Sequence, residues 1–151
     1  MSKLTGKMKL VARYMDRFKC RLLRSDPRLQ PYDLGSRQAE TILTLSRMPD
    51  ASQDDLAEAL MVNKSTVARW LELLESKGLV CRTTNPDNRR AVQVRLTPEA
   101  EAIVPLLRDV NRKWADFVSE NLSPEEESRL EEILGEIVRR AEEFLKGGEA
   151  P

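Results

Sequence analysis

The chain has 151 residues, the length of one ordinary domain and enough to bury a sizeable core. It contains 25 basic and 25 acidic side chains and no histidine, which excludes histidine-based catalytic triads and any metal site that uses imidazole. Charged residues make up 33% of the chain and hydrophobic residues 40%, a balance typical of a soluble folded protein. We therefore expect neither an enzyme nor a chain that carries a metal or another cofactor.

The cysteine content and the N-terminus indicate a cytoplasmic protein. Cys20 and Cys81 lie 61 residues apart without a CxxC motif, so no structural zinc site is expected and both thiols fit a reducing compartment. The first ten residues include lysines but lack the apolar core of a signal peptide. No apolar run approaches the roughly 18 residues that span a bilayer, so we expect no membrane association.

The neutral total conceals a charge gradient along the chain. Residues 1–24 carry a net charge of +7 and residues 98–151 a net charge of −7, while the stretches between them are nearly balanced. This asymmetry indicates either a basic arm for nucleic acid with an acidic tail, or two ends of the chain that pack against each other.

Apolar spacing predicts two helices in the first third of the chain. Residues at alternating spacings of four and three form a stripe suited to packing on another helix, made of Leu4, Met8, Val11, Met15, Phe18 and Leu22. Pro27, Pro31 and Gly35 interrupt this pattern. A second helix is predicted from Ser36, as its N-cap, to Arg47, with an apolar side of Ala39, Ile42, Leu43 and Leu45.

Two shorter helices are predicted next. Ser52 followed by Asp55 is a capping pattern that opens the first, and Asn63 caps the second, which ends before Lys77 and Gly78. The second helix has an apolar face made of Val67, Trp70, Leu71 and Leu74. The residues expected to point outward from it are Lys64, Ser65, Ala68, Arg69 and Glu72.

A hairpin and two long helices complete the chain. Residues 79–84 and 91–96 have strand character and flank a polar tip at residues 85–90. One long helix begins after Thr97 and the last begins after Ser123. Because two strands do not form an independent sheet, the hairpin must pack on the helices. This order predicts a mainly α fold with a small β hairpin, in the pattern of a winged helix-turn-helix.

The helix at residues 63–76 carries short polar and cationic residues near its N-terminus, as a helix that enters the DNA major groove requires. Arg69 is the candidate for a base-edge contact, because its guanidinium can bridge two acceptors of guanine. The residues expected to cap this helix or to position the DNA backbone are Asn63, Lys64, Ser65 and Thr66. The alternative is an ordinary solvated helix face.

The hairpin tip supplies a second candidate contact. Asp87, Arg89 and Arg90 place two guanidinium groups and one carboxylate at a turn. Arginine at such a tip can enter a narrow minor groove, where the negative potential is strongest. We expect Arg89 to reach the groove and Arg90 to contact phosphate or pair with Asp87, although a solvent-exposed turn with incidental charges explains the same residues.

This part of the chain resembles the MarR family of bacterial transcription regulators. The residues that carry the resemblance are Leu74-Glu75, Lys77-Gly78-Leu79-Val80, Arg82, Asp87, Arg89-Arg90, Val94 and Leu96-Thr97. The order of elements is similar over essentially the whole chain. The resemblance implies a homodimer with two winged lobes on a palindromic operator in double-stranded DNA, released by a small ligand or by oxidation. Ala100 and Cys81 depart from the family, where many members have glycine and a charged residue.

The resemblance also implies a division of the chain. Residues 1–35 and 98–146 would form a helical dimerisation region, and residues 36–97 the winged helix-turn-helix DNA-binding domain. Apart from the resemblance, Gly147 and Gly148 close the last helix, so residues 147–151 are expected to form a frayed tail. In such a dimer the basic first helix and the acidic last helices compensate each other's charge. Residues 62–95 retain seven basic and three acidic side chains, so we expect weak, salt-dependent binding to DNA of any sequence.

The residues leave the trigger of such a regulator open. Cys20 is a candidate redox thiol, because the basic residues around it favour the thiolate, but a small hydrophobe buried at a helix seam explains it better. Cys81 is expected in the core. A ligand pocket between the dimerisation helices and the winged lobe is the other trigger, with the candidate residues Arg13, Tyr14, Arg17 and Met48.

These patterns favour a dimeric DNA-binding transcriptional regulator, in the first place a repressor. It would hold a palindromic operator through residues 63–76 and 85–90 and be released by a small ligand. One alternative is a redox-sensing regulator that works through Cys20. Another is a winged-helix module that binds protein and has no affinity for DNA.

Overall fold

A computed structural model of the chain describes residues 2–147, and at residues 85 and 88–91 it describes the backbone alone. The described chain divides into two compact units, residues 2–114 and residues 115–147. Apart from Gly147, the tail that was predicted to fray lies outside the described residues.

Two helices open the first unit. Helix α1, Lys3–Ser25, begins at Ser2, whose hydroxyl accepts a 3.1 Å hydrogen bond from the Thr5 amide. A short 3-10 helix follows, and then helix α2, Ser36–Arg47. Gly35, in an extended conformation, occupies the N-cap position of α2, so the prediction that Ser36 caps it is wrong. Ser36 is the first helical residue, and its hydroxyl donates to the Asp16 carboxylate on α1.

The middle of the chain forms two helices and a hairpin. Helix α3 is Gln53–Ala59 and helix α4 is Lys64–Ser76. Strands β1, Val80–Asn85, and β2, Asn88–Leu96, pair antiparallel. A single bridge of Ser52 to Gln93 adds a short third edge. The predicted helix-turn-helix and hairpin are therefore confirmed as elements.

The hairpin is longer than the pattern predicted. The turn consists of Pro86 and Asp87 alone, and residues 88–90, which were expected in the tip, open β2. The prediction ended both strands where apolar alternation ends. The pairing is regular up to Thr84 and Val92, its register then shifts, and Asn85 pairs with Asn88 beyond the irregularity. Because strand pairing uses backbone groups, polar residues can extend β2 past the apolar alternation.

Two more helices complete the chain. Helix α5, Pro98–Ser119, begins after Thr97, whose hydroxyl accepts from the Ala100 amide at 3.2 Å. Helix α6, Pro124–Leu145, begins with the predicted capping box, in which Ser123 and Glu126 exchange side-chain and backbone hydrogen bonds. Among the described helices, none combines the length and the apolar character that a bilayer crossing requires.

The buried core lies in the first unit. The side chains with almost no exposed surface come mostly from α2, α3, α4, the hairpin and α5, with Leu23 from the end of α1 and Leu29 from the loop after it. They include Ile42, Leu45, Leu56, Val67, Leu71, Leu74, Leu79, Val94 and Leu107. The N-terminal part of the α1 stripe is exposed instead, as are all described residues of α6. The core therefore fixes the helix-turn-helix and leaves two apolar helix faces uncovered.

Candidate nucleic-acid interface

The helix-turn-helix begins with a reciprocal cap. The Ser52 hydroxyl accepts from the Asp55 amide at 3.0 Å, and the Asp55 carboxylate accepts from the Ser52 amide at 2.9 Å. Hydrogen bonds from Ser52 to the Asp55 carboxylate, first from the Ser52 backbone and then from its side chain, lower the pKa of this carboxyl. Leu56 and Ala57 on α3 are buried, so the cap and the core together fix the start of this helix.

The turn between α3 and α4 places Met61 in an unusual conformation. Its φ is 53°, in the left-handed region that favours glycine or asparagine, and its side chain is 87% exposed. The Val62 amide next to it donates to the Ala57 carbonyl at 3.1 Å. The turn is thus closed by a backbone bond at the cost of a strained, exposed methionine.

Helix α4 is capped by Asn63, as predicted. The Asn63 Oδ1 accepts from the Thr66 amide at 2.8 Å and from the Ser65 hydroxyl at 2.8 Å. The cap therefore occupies the polar oxygen of Asn63 and orients Ser65. Of the predicted contact residues, Lys64 and Ser65 are exposed and Thr66 is half-buried.

The body of α4 separates an inner from an outer face. Val67, Leu71 and Leu74 are fully buried, which anchors the helix on the core. Trp70 is half-buried, and so is Ala68, which was expected to point outward. Arg69 is exposed on the outer face, one turn after the exposed residue Ser65. Both therefore share the outer face of α4, and their contact with DNA remains a prediction.

Lys64 has a partner that the sequence did not indicate. Its ammonium lies 3.0 Å from Oδ2 of Asp54 on α3, and the two side chains are 72% and 65% exposed. The pair joins the first turns of the two helices across ten residues of chain. Asp54 and Lys64 lie on different helices, so the i, i+3 and i, i+4 spacings of a single helix do not predict their contact. The turn at residues 60–63 brings them together.

Other cations near α4 are also engaged. Arg82 on β1 lies 2.8 Å from Glu75, and Arg95 on β2 lies 3.2 Å from Asp50. Lys77 donates to the Asp33 carbonyl at 2.9 Å and to Gln38 at 3.0 Å. Among the residues of 62–95 whose side chains are described, this leaves Arg69 as the cation without an ion pair or a side-chain hydrogen bond.

The wing carries the remaining predicted contacts. Asp87 is exposed in the turn, while Arg89 and Arg90 belong to the first residues of β2 and not to the tip itself. The side chains of both arginines are outside the described part of the chain. The predicted groove contact of Arg89 and the predicted pairing of Arg90 with Asp87 therefore remain predictions.

The two cysteines differ from expectation. Cys81 is exposed, so its assignment to the core is wrong. Successive residues of a strand face opposite sides, and Val80 takes the buried side of β1. Cys20 on α1 is a half-buried free thiol, and its redox role remains a prediction.

The predicted ligand residues are brought together only in part. Arg13, Tyr14 and Arg17 line an open cavity of about 650 Å³, to which Arg37 of α2 also contributes. Met48, the residue directly after α2, instead packs against the hydrophobic core.

Known proteins of similar sequence and fold include regulators of the MarR family. Residues 34–92 match the model of the MarR family. A solved structure of MarR is 28% identical in sequence, with a TM-score of 0.76, over 93% of this chain and 98% of that one. A cysteine-to-serine mutant of MarR from E. coli, complexed with operator DNA, is 26% identical, with a TM-score of 0.78, over 89% of this chain and 92% of that one.

A further structure shares the fold. FabT from Streptococcus pneumoniae, solved in complex with DNA, is 21% identical, with a TM-score of 0.81, over 94% of this chain and 97% of that one. The family match covers the helix-turn-helix and most of the wing, and the likeness to MarR extends over nearly the whole length. The chain is similar to the MarR family of transcriptional regulators over residues 34–92, and to a solved MarR structure over nearly its whole length.

Proposed function

We propose that this protein is a homodimeric repressor that binds a palindromic operator through α4 and the wing and that a small ligand releases it. The observation that carries the proposal is the outer face of α4. An exposed arginine and an exposed polar N-terminal turn stand on a helix whose inner face is fully buried. A related MarR of 26% identity was solved with operator DNA, which supports the same use of this helix here.

Each residue of α4 has a distinct proposed role. Arg69 contacts a base edge in the major groove, because its guanidinium is exposed and otherwise unengaged among the described side chains. Lys64, Ser65 and Thr66 position the helix on phosphates, and Asn63 acts through the cap. Arg89 and Arg90 of β2 serve the adjacent backbone or minor groove.

The dimer is proposed from the uncovered helix faces. Leu4, Met8 and Val11 on α1 are exposed, and so is an apolar seam on α6 made of Leu130, Ile133, Leu134, Ile137, Val138 and Phe144. Large contiguous apolar faces of this kind usually mark an interface. We therefore assign residues 1–35 and 98–146 to dimerisation and residues 36–97 to DNA binding.

Selection of bound duplexes from a random pool tests the proposed function. A dimer with two helix-turn-helix lobes should select an inverted repeat whose half-sites lie about one helical turn apart. Selection of a single half-site would contradict the dimeric arrangement. Recovery of no enriched sequence, by a chain that remains folded, would favour a winged-helix module that binds protein.

The cavity on α1 and α2 is the proposed effector site. Arg13, Arg17 and Arg37 line it together with Tyr14 and one carboxylate, that of Asp16, which accepts from Ser36. Three guanidinium groups against one carboxylate favour a small anionic ligand. Titration of the operator complex with a panel of aromatic and aliphatic carboxylates should release DNA for some of them, and Arg17→Ala should weaken that release. An unchanged response in this variant would place the effector elsewhere.

A further inference from the structure

The helix-turn-helix itself is acidic. Residues 52–76 contain only two basic side chains, Lys64 and Arg69, against five acidic ones, which are Asp54, Asp55, Glu58, Glu72 and Glu75. DNA carries a high density of negative charge, so each acid near the contact surface opposes binding to any sequence. The basic excess of the winged segment comes from residues beyond α4.

The acids of this unit differ in what they contact. Asp55 completes the cap with Ser52, and Glu75 pairs with Arg82 on the hairpin. Within the described part of the chain, Asp54 is the acid of this group that pairs with a proposed DNA-contacting residue, at 3.0 Å from the Lys64 ammonium. Both partners are largely exposed, so a phosphate can reach the ammonium without any change in the fold.

We propose that Asp54 is a positioning residue that acts through Lys64 and lowers the part of the DNA affinity that does not depend on sequence. This inference rests on the proposed DNA interface. In the free protein the Asp54 carboxylate occupies the place that a phosphate takes in the complex. When a phosphate displaces the Asp54 carboxylate from Lys64, the carboxylate stays beside the DNA and keeps a cation from solution as its own counterion. This retained cation offsets the counterion that the DNA releases when Lys64 binds it.

The effect is measurable on a duplex of arbitrary sequence. Asp54→Asn keeps the shape of the side chain and removes its charge. We expect this variant to bind the duplex roughly three- to tenfold more tightly at 0.1 M salt, with a log–log salt slope steeper by up to about 0.9. Glu58→Gln is the matched control, because it removes one exposed charge from the same helix without a Lys64 contact.

A double-mutant cycle tests whether the effect passes through Lys64. In a Lys64→Gln background, Asp54→Asn should change affinity and slope no more than Glu58→Gln does. An equal gain with and without Lys64, or an equal gain from Glu58→Gln, would show general repulsion and overturn the proposal. The proposal would also be overturned if Asp54→Asn bound DNA with unchanged affinity while the wild type bound DNA with a normal salt slope.

The proposed function fails in a different way. If the wild type shows no salt-dependent binding to any duplex, the DNA interface itself is wrong, and the inference falls with it. Circular dichroism melts of the wild type, the three single variants and the double variant test for loss of folding. We expect none, since the cap formed by Ser52 and Asp55 is unaltered in each of them.

Discussion

Arg69 makes the sharpest prediction at the scale of single residues. Arg69→Ala should weaken operator binding by about 1–3 kcal/mol and relax the choice of base at one position of each half-site. Fluorescence anisotropy with the selected operator and with single-base variants measures both effects. Arg47→Ala, an exposed arginine on α2, is the control and should change neither. A uniform loss on all sequences would instead assign Arg69 to phosphate.

Asp26 provides a prediction about pH. Its carboxylate accepts from the Arg28 side chain at 2.8 and 3.0 Å and from the Arg28 amide at 2.9 Å. The side-chain bonds, then the backbone bond, lower the pKa of this carboxyl from its usual value to about 2. A lowered pKa in the folded state means that the charged carboxylate stabilises the fold above its unfolded pKa of about 4, and that this contribution is lost as the pH falls toward 2.

Asp26→Asn should therefore be less stable than the wild type at neutral pH, and the difference should shrink as the pH falls from about 4 to about 2. Urea denaturation at several pH values in this range measures it. Arg28→Gln removes the donor and should show the same trend. A difference that is constant with pH would mean that the carboxylate charge does not matter.

At the same scale, local roles could be predicted from the sequence and distant pairs could not. The caps at Ser52, Asn63 and Ser123 depend on residues two or three positions apart, and the structure has all three. The Lys64–Asp54 pair depends on the angle between two helices. That angle follows from core packing, which residue spacing does not specify.

At the scale of elements, the turn of the helix-turn-helix contains avoidable strain. Met61→Asn should raise the free energy of unfolding by about 0.5–1 kcal/mol, because asparagine tolerates a φ of 53° better and the exposed methionine loses little apolar burial. Chemical denaturation measures the change. Leu73→Asn, at an exposed α4 position with ordinary helical backbone, should lower stability instead. Equal effects of the two changes would exclude backbone strain as the cause.

The hairpin shows why element boundaries are harder to predict than elements. Its existence follows from the alternation of Val92, Val94 and Leu96, and β2 is present as predicted. Its length does not, because β2 continues through the polar residues 88–90, past a shift of register between Thr84 and Asn85. Asn88 then pairs with Asn85, and such pairing uses backbone groups and not apolar side chains. The same argument explains the Ser52 bridge, which no apolar pattern indicates.

At the scale of the whole molecule, the α6 seam predicts the assembly. Ile137 is 40% exposed in the single chain, and Ile137→Asp should convert a dimer into a monomer and abolish cooperative operator binding. Sedimentation equilibrium measures the mass. Gly135→Asp is the matched control, since a side chain there meets only open space and lies on another face of the same helix. Dimers that persist in Ile137→Asp would contradict the proposed interface.

The charge gradient is understood only at this largest scale. The neutral sum of 25 basic and 25 acidic residues argues against a nucleic-acid partner when it is taken alone. Sorted by element, it places a basic α1 and an acidic α6 at opposite ends of the chain. The sequence therefore predicts the resemblance to the MarR family and the order of elements. The pairing of Lys64, Arg82 and Arg95 with acids is visible only in the folded chain.

The exposure of α6 also determines how the concentration of the proposed dimer depends on the amount of protein that a cell makes. A 22-residue helix that buries none of its described residues obtains its packing from a second copy, so under the proposed dimer its stability follows mass action. When copies are scarce, the isolated chain presents an apolar strip to proteases and chaperones. In that regime a twofold rise in synthesis yields roughly a fourfold rise in operator-competent protein. Occupancy of the operator then responds to gene dosage more steeply than the chain concentration itself.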